Sequence, residues 1–444
     1  MKEMLLNLIA ESRYAEARNV VSDMNIVDLA QLLEELDKRK LLMIFRLLPK
    51  DIAAGVFSHV SSELQRYIVE SITDKEIKNI LGELFFDDAI DFLEEMPSNF
   101  VKKILKNTDE NTRKLINQFL NYPEDSAGSI MTIEYVDLKK EMTVKEALQH
   151  IKATGVDKET IDTSYVLDNN RILEGTISIR KLILSDDATA VKDIMETDVI
   201  SVNTYDDQEK IASLFKKYDF LSMPVVDNEH RLVGIVTIDD IIDIIEQETT
   251  EDFQKMAAMQ PSEKEYLKTN AFVLAKHRIS WLIILMLTAT ITGYIIRSYD
   301  NVLQSVMILA AFIPLLMNTG GNAGSQSSTL IIRGLALGEI RLKDVLKVLW
   351  KELQVSCLVG ITLSVVNFVK IYYFEKYELL LSLTVCITMF FTIVLAKILG
   401  GLLPIIAKKL RVDPAIMAGP LITTIVDALA LIIYFKTATW LLHI

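Results

Sequence analysis

Cysteine is nearly missing from this chain of 444 residues, which has only Cys357 and Cys386. Both lie in apolar stretches, where a free thiol behaves as a small hydrophobe. Neither a disulfide framework nor a cysteine zinc site is indicated. Histidine is also scarce: five residues are scattered along the chain with no nucleophile–base constellation around them, which argues against an enzyme. The opening MKEMLLNLIAESRYAEAR has no basic start and no small-residue cleavage site, so no signal peptide is expected. Bases are in short supply over the first 274 residues, which hold 32 Lys and Arg against 52 Asp and Glu. Such a region does not suit nucleic acid, whose phosphates call for basic faces; it suits cations.

What the chain has in quantity is hydrophobic residues, half of the total, and they are concentrated in its last part. Residues 275–444 hold 15 bases and 8 acids. A bilayer core of about 30 Å needs roughly 20 apolar residues per helix, and five stretches qualify: Ile279 to Ile296, Val302 to Met317, and stretches centred on Leu353 to Val369, Leu379 to Ala396 and Ala415 to Phe435. Base-rich connections (Lys276 and Arg278; Arg333, Arg341, Lys343 and Lys347; Lys408, Lys409 and Arg411) alternate with poor ones. By the positive-inside rule the N-terminal region is cytoplasmic and the C-terminus outside. A soluble protein with five buried core helices would need a far larger chain to cover them.

Three polar features stand out in the apolar part. Asp427 sits inside the fifth span with no base in the middle of any span to pair with, Lys397 lying near the end of the fourth. A carboxylate there is expensive unless it faces a partner or a water-filled path. A passing cation is one candidate partner, with Thr423, Thr424 and Asn322 supplying further oxygens; protonation and burial for packing is the alternative. Mg²⁺, a hard cation that takes oxygen ligands and dehydrates reluctantly, fits such a site. The segment from Pro314 to Ser328 contains Gly320-Gly321-Asn322-Ala323-Gly324. Its glycines fit non-helical backbone lining a cavity and a close helix–helix contact, two readings that can hold together. Asp413-Pro414 has the form of a helix cap, compatible with an ion contact at the cytoplasmic mouth.

Residues 1–125 place Leu and Ile at helical spacing, as in Ile26 to Leu36 and Ile77 to Leu84, and Pro49, Pro97 and Pro123 punctuate the run. That pattern predicts a stack of short helical hairpins. Residues 126–250 contain a repeat: Asp168 to Gly175 matches Asp227 to Gly234, each flanked by short apolar strands and followed by a helix, with Ile130-Met131 and Ile194-Met195 opening the copies. The unit resembles a tandem CBS pair. Asp239, Asp240, Asp243, Glu246, Glu248, Glu251 and Asp252 then form an acidic run without a base until Lys255. If helical, it sets Asp240 with Asp243 and Glu248 with Glu251 on shared faces. A solvated linker and a cation sensor are both open for this run. Residues 252–275 are expected to form a helix joining it to the first span.

Taken in order, these pieces resemble the MgtE family of magnesium channels. The resemblance is carried by Tyr122-Pro-Glu-Asp-Ser-Ala-Gly-Ser-Ile-Met-Thr132, Gly320-Gly-Asn-Ala-Gly-Ser-Gln326 and Asp413-Pro-Ala…Gly419-Pro…Thr423-Thr…Asp427. It implies four parts: an all-α superhelical domain at 1–125, an α/β tandem CBS pair at 126–250, a connecting helix at 251–275 and a five-helix transmembrane domain at 276–444. It also implies a multi-pass homodimer in the cell membrane that takes up Mg²⁺ through a pore selected by Asp427, with Asp413 and Asn322 along the path. Mg²⁺ bound to Asp87, Asp91, Asp207, Glu209, Asp240, Asp243, Glu248, Glu251 and Asp252 would close that pore. Nucleotide-binding CBS domains carry Thr and Asp three apart; Thr237 and Asp240 fit, which implies an adenine nucleotide, whereas the first repeat has Ser178 and Lys181. Two alternatives remain. An ion-coupled divalent carrier would need further intramembrane ionisable groups, and no second acid stands well inside a span. A non-conducting Mg²⁺ sensor would need an output module.

Overall fold

A computed structural model of the chain describes residues 2–11, 13–94, 96–108, 110–262, 266–267 and 269–443. It divides into two compact units, Met1–Ile245 and Glu246–Ile444.

The first unit begins with helices of eight to ten residues between Lys2 and Phe119. Their starts are written in the sequence: Asn25 and Asp37 accept from backbone N–H groups of the following turn, and Thr73 with Glu76 makes a reciprocal capping box. Leu29, Leu33, Phe57, Ile90 and Phe119 are fully buried in their common core. Phe86–Glu94 (α1) enters it through Phe86, edge-on to Phe119 at 4.7 Å, and through Phe92, edge-on to Phe57 at 5.0 Å. The predicted helical stack is the observed one.

Two small sheets follow. In the first, β1 (Val136–Leu138) runs parallel to β2 (Thr163–Leu167), which pairs antiparallel with β3 (Leu173–Ser178). The second repeats the plan with β4 (Val202–Asn203), β5 (Ser222–Val226) and β6 (Leu232–Thr237). The repeated octapeptides form the two hairpin turns. Asp168 Oδ1 accepts from the N–H groups of Asn170 and Ile172, and Asp227 Oδ1 from those of Glu229 and Arg231, the Asx geometry that makes Asp a turn residue. The copies also brace one another. A side chain at Gly175 would strike Glu196 O and Met195, and one at Gly234 would strike Thr132 O and Met131. Met131, Val225, Val236, Ile241 and Ile244 extend the core of the N-terminal helices into the second repeat.

Ile238–Met256 (α2) is one continuous helix carrying the whole acidic run. The helix expected over residues 252–275 is not found in that form. The helix ends at Met256, Ala257 to Asn270 is non-helical where described, and residues 263–265 and 268 lie outside the described residues. The next helix is Ala271–Ser298 (α3), whose start is capped by the Asn270 side chain accepting from Phe272 N–H.

The second unit continues with Leu309–Ala336 (α4), Val345–Val369 (α5), Leu379–Lys409 (α6) and Gly419–Leu442 (α7). Among the described residues, four helical stretches are long and apolar enough to cross a membrane: Ala271–Ser298, Leu342–Phe374, Leu379–Lys409 and Pro414–Leu442. Five were expected. The one that falls short is α4, which at 28 residues has the length, about 42 Å at 1.5 Å per residue, but spends its middle on Asn, Gly, Ser and Gln. It runs helical straight through Gly320–Gly324, so of the two readings of that segment the close helix–helix contact is the observed one. Side chains at Gly320 and Gly321 would strike Thr392, Val426 and Thr423, and one at Gly400 would strike the Gly324 carbonyl oxygen. The Tyr434 hydroxyl, buried, donates to Leu309 O at 2.9 Å and joins α7 to the start of α4.

Candidate ion path and acidic clusters

Where α4 crosses α7, two polar features flank the glycine contacts. On α4, Asn318, Asn322 and Gln326 recur every four residues on one face and are exposed, with Asn322 Nδ2 donating to Asn318 Oδ1 at 3.3 Å. This is an amide stripe on the outside of an otherwise apolar bundle. On α7, Asp427 is half-buried, and its Oδ1 is cut off from solvent without a hydrogen-bond partner. Thr423 and Thr424 donate their hydroxyls to Gly419 O at 2.7 Å and Pro420 O at 2.8 Å, which leaves their oxygen lone pairs as acceptors.

At the start of α7, Asp413 caps a short 3₁₀ turn, Pro414–Met417, by accepting from Ala415 N–H at 2.8 Å. Its other oxygen accepts from Lys255 Nζ at 2.6 Å, and Lys255 also binds Glu251 at 2.6 Å. Burial, with Asp413 next, holds the Asp252 carboxyl above the usual range. Gly419, at φ +42°, brings its Cα against Met256 O, where any side chain would collide. The end of α2 is thus seated at the entrance of α7.

In the first unit α1 meets the start of α2. Asp87 is buried, with Oδ1 unpartnered, and burial followed by the charges of Asp240, Asp88 and Glu159 holds its carboxyl well above the usual range. Asp240 is pushed up to about 6 by burial, against the Thr237 hydroxyl, which donates to it at 2.7 Å. Glu159 is pushed up to about 7 by burial and by Asp239 and Asp240, and Asp88 is raised by burial. Carboxylates crowded in this way favour either protons or a bound cation.

Of the expected acidic positions, the structure brings Asp87 to Asp240, and Glu251 and Asp252 to Asp413. Asp91 and Asp243 are exposed, and Glu248 is half-buried on α2. Asp207 and Glu209 are exposed in the second repeat, where Asp207 caps the helix Gln208–Tyr218 by accepting from Glu209 N–H. Among the described residues no three Asp, Glu, His or Cys side chains close round one point as a ready-made ion cage. Sequence reasoning passed over Asp88 and Glu159; Asp88 was signalled by its neighbour Asp87, and Glu159 by nothing local. It also found no second acid well inside a span and no base in mid-span. Glu352 on α5 and Lys397 on α6 are both buried, and both hydrogen-bond Ser327 of α4, at 2.5 and 3.3 Å.

A helical domain, a pair of mixed sheets and a bundle of long apolar helices with a carboxylate and amides at its crossing define a membrane transport protein for cations. Residues 313–437 match the family described as a divalent cation transporter, residues 24–125 the MgtE intracellular N domain, and residues 191–247 a CBS domain. The chain is 39% identical over 430 residues to the magnesium transporter MgtE of Thermus thermophilus, covering 96% of this chain and 95% of that one. It is 34% identical over 440 residues to that of Bacillus subtilis, covering 99% and 97%. The cytosolic domain of a Mg²⁺ channel MgtE, crystallised with ATP, superposes with a TM-score of 0.53 at 37% identity, covering 55% of this chain and all of that one. The chain belongs to the MgtE family of magnesium transporters: a multi-pass membrane protein with an intracellular N domain, and not an enzyme.

Proposed function

We propose that this chain conducts Mg²⁺ as a homodimer and is closed by cytosolic Mg²⁺. The observation that carries the reading is the exposed amide stripe Asn318, Asn322 and Gln326 on α4 together with Asp427 on α7, whose buried Oδ1 has no hydrogen-bond partner. Neither amides nor a carboxylate are stable against lipid; a water-filled path walled by a second copy satisfies both. Asp427 would face a partly hydrated Mg²⁺, which suits an ion that keeps most of its waters, and Asn322 and Asp413 would line the route. With α4 as the fifth crossing, the C-terminus lies outside.

Closure follows from the acidic groups. Without a divalent ion the carboxylates of Asp87, Asp88, Glu159, Asp239 and Asp240 repel one another, and Glu251, Asp252 and Asp413 have the single ammonium of Lys255 among three acids. Mg²⁺ bridging them, with Asp91, Asp207, Glu209, Asp243 and Glu248 as further ligands, favours one arrangement, by no more than its differential affinity for that state. Thr237 and Asp240, joined by a hydrogen bond of 2.7 Å, would contact an adenine nucleotide at the CBS pair.

The test is Mg²⁺ uptake into liposomes holding the purified protein, at low and high Mg²⁺ on the cytoplasmic face. Wild type admits Mg²⁺ at low and slows at high concentration, and Asp427→Ala loses Mg²⁺ transport or selectivity. Absence of flux in wild type under both conditions overturns conduction. A second reading, a proton-coupled carrier, is favoured by the buried Glu352 and Lys397. It predicts a pH change inside the vesicles in step with Mg²⁺ entry, which the channel reading does not.

A further inference from the structure

Glu352, Ser327 and Lys397 come from three different helices and are 8, 1 and 5% exposed. The Ser327 hydroxyl donates to Glu352 Oε2 at 2.5 Å, and Lys397 Nζ donates to the Ser327 oxygen at 3.3 Å. The surrounding backbone makes room for them. A side chain at Gly400 would meet Ser327 Cβ, and one at Gly401 would meet Glu352 Cγ at 3.0 Å. Two consecutive glycines of α6 thus admit, respectively, the serine of α4 and the glutamate of α5, with the lysine one turn earlier on α6. Burying one charge of each sign in a bilayer is costly, and breaking a buried pair costs more than replacing it whole. Ordinary packing would be met by three apolar side chains.

The place of the network on α4 gives it a use. Ser327 directly follows Gln326, the last amide of the exposed stripe, and is itself buried on the side turned to α5 and α6. The next residue, Ser328, donates to Met417 O at 2.7 Å. The glycine contacts at 320, 321 and 324 set the closeness of α4 to its neighbours, and the bonds of Ser328 and of Tyr434 tie it to the start of α7 and, at its own N-terminal end, to α7 itself, but neither bond reaches α5 or α6. The hydroxyl of Ser327, held between a fixed carboxylate and a fixed ammonium, does.

We infer that Glu352, Ser327 and Lys397 form a charge-neutral clamp that fixes the rotation of α4 about its axis and so aims Asn318, Asn322 and Gln326 at the ion path. They are positioning residues for ion selection, touching no ion themselves. The inference rests on the conduction reading for its consequence, but its geometry can be tested without flux.

Two full-length variants test it: E352Q/K397M, which removes both charges together, and S327A, which keeps the charges and removes the hydroxyl that joins them. In the first readout, the native cysteines are replaced and Asn322→Cys or Ala323→Cys is introduced, then labelled with a membrane-impermeant thiol reagent. With the clamp intact, position 322 labels and the buried position 323 does not; in either variant the difference collapses. In the second, the ratio of Mg²⁺ to Ca²⁺ uptake falls about tenfold in both variants, the size of one moderate coupling between packed groups, and S327T, which retains the hydroxyl, restores it. Unchanged labelling and an unchanged ratio in folded protein overturn the inference. So does failure of both variants to fold, which makes the network a stability element only. A wild type that labels as expected but passes no ion refutes conduction and leaves the clamp standing.

Discussion

At the level of single residues, the membrane unit is decided by atoms that are missing. Gly400 lets α6 touch the Gly324 carbonyl of α4. Gly400→Val forces that contact apart, and overpacking of this kind costs about 1–3 kcal/mol; the melting temperature of the detergent-purified protein should fall. Gly128 plays the same part in the cytosolic unit, where a side chain would enter the Tyr122 ring and approach Thr204 O at 2.9 Å. Gly128→Val should therefore destabilise the cytosolic unit by a similar ~1–3 kcal/mol. It should also speed proteolytic nicking near Tyr122 without altering the membrane unit's own melting. Gly128 belongs to the Tyr122–Thr132 motif that carries the family resemblance, whereas Gly400 lies in no segment singled out in the sequence. What the sequence left undecided was which of two uses the Gly320–Gly324 run serves, because a glycine permits a cavity or a contact equally. Glu352 and Lys397 were less legible still: they stand 45 positions apart, and each, taken alone, looks like a charge near a helix end.

Among the elements, the hairpins of the CBS pair were the most legible, because an Asp that accepts from its own turn leaves a local signature repeated 59 residues later. The extent of the helix after them was not. The acidic run could be seen, but the stop at Met256 falls where the chain packs against Gly419, 163 residues away. Lys255, noticed only as the end of the acidic run, is the residue that secures that seat, through Glu251 and Asp413. Lys255→Met leaves Glu251, Asp252 and Asp413 facing one another with no resident cation. Uptake measured in liposomes should rise at low cytoplasmic Mg²⁺, where the seat is loosened, and the inhibition by added Mg²⁺ should become deeper, since the divalent ion no longer competes with an ammonium.

For the whole molecule, the cluster around Asp87 ties stability to both pH and Mg²⁺. Glu159 at about 7 and Asp240 at about 6 lie above the ordinary carboxylate range. Between that range and about pH 7 the folded chain holds more protons than the unfolded one, so stability falls as pH rises through this window. In Mg²⁺-free buffer the melting temperature of the cytosolic transition should drop between pH 5 and pH 8. Saturating Mg²⁺ should flatten the slope by neutralising the same carboxylates; a slope unchanged by Mg²⁺ would separate the cluster from ion sensing.

The unbroken run of α2 from Ile238 to Met256 has a consequence of its own. A helix transmits angle as well as distance: each residue adds roughly 100° of turn and 1.5 Å of rise. One alanine inserted between Glu246 and Gln247 therefore turns Lys255 by about 100° relative to Asp240 along the helix, whereas four added together bring it back to within about 40°. Feedback by Mg²⁺ should vanish with the first insertion and partly return with the fourth, a periodic dependence on inserted length that a flexible tether would not produce.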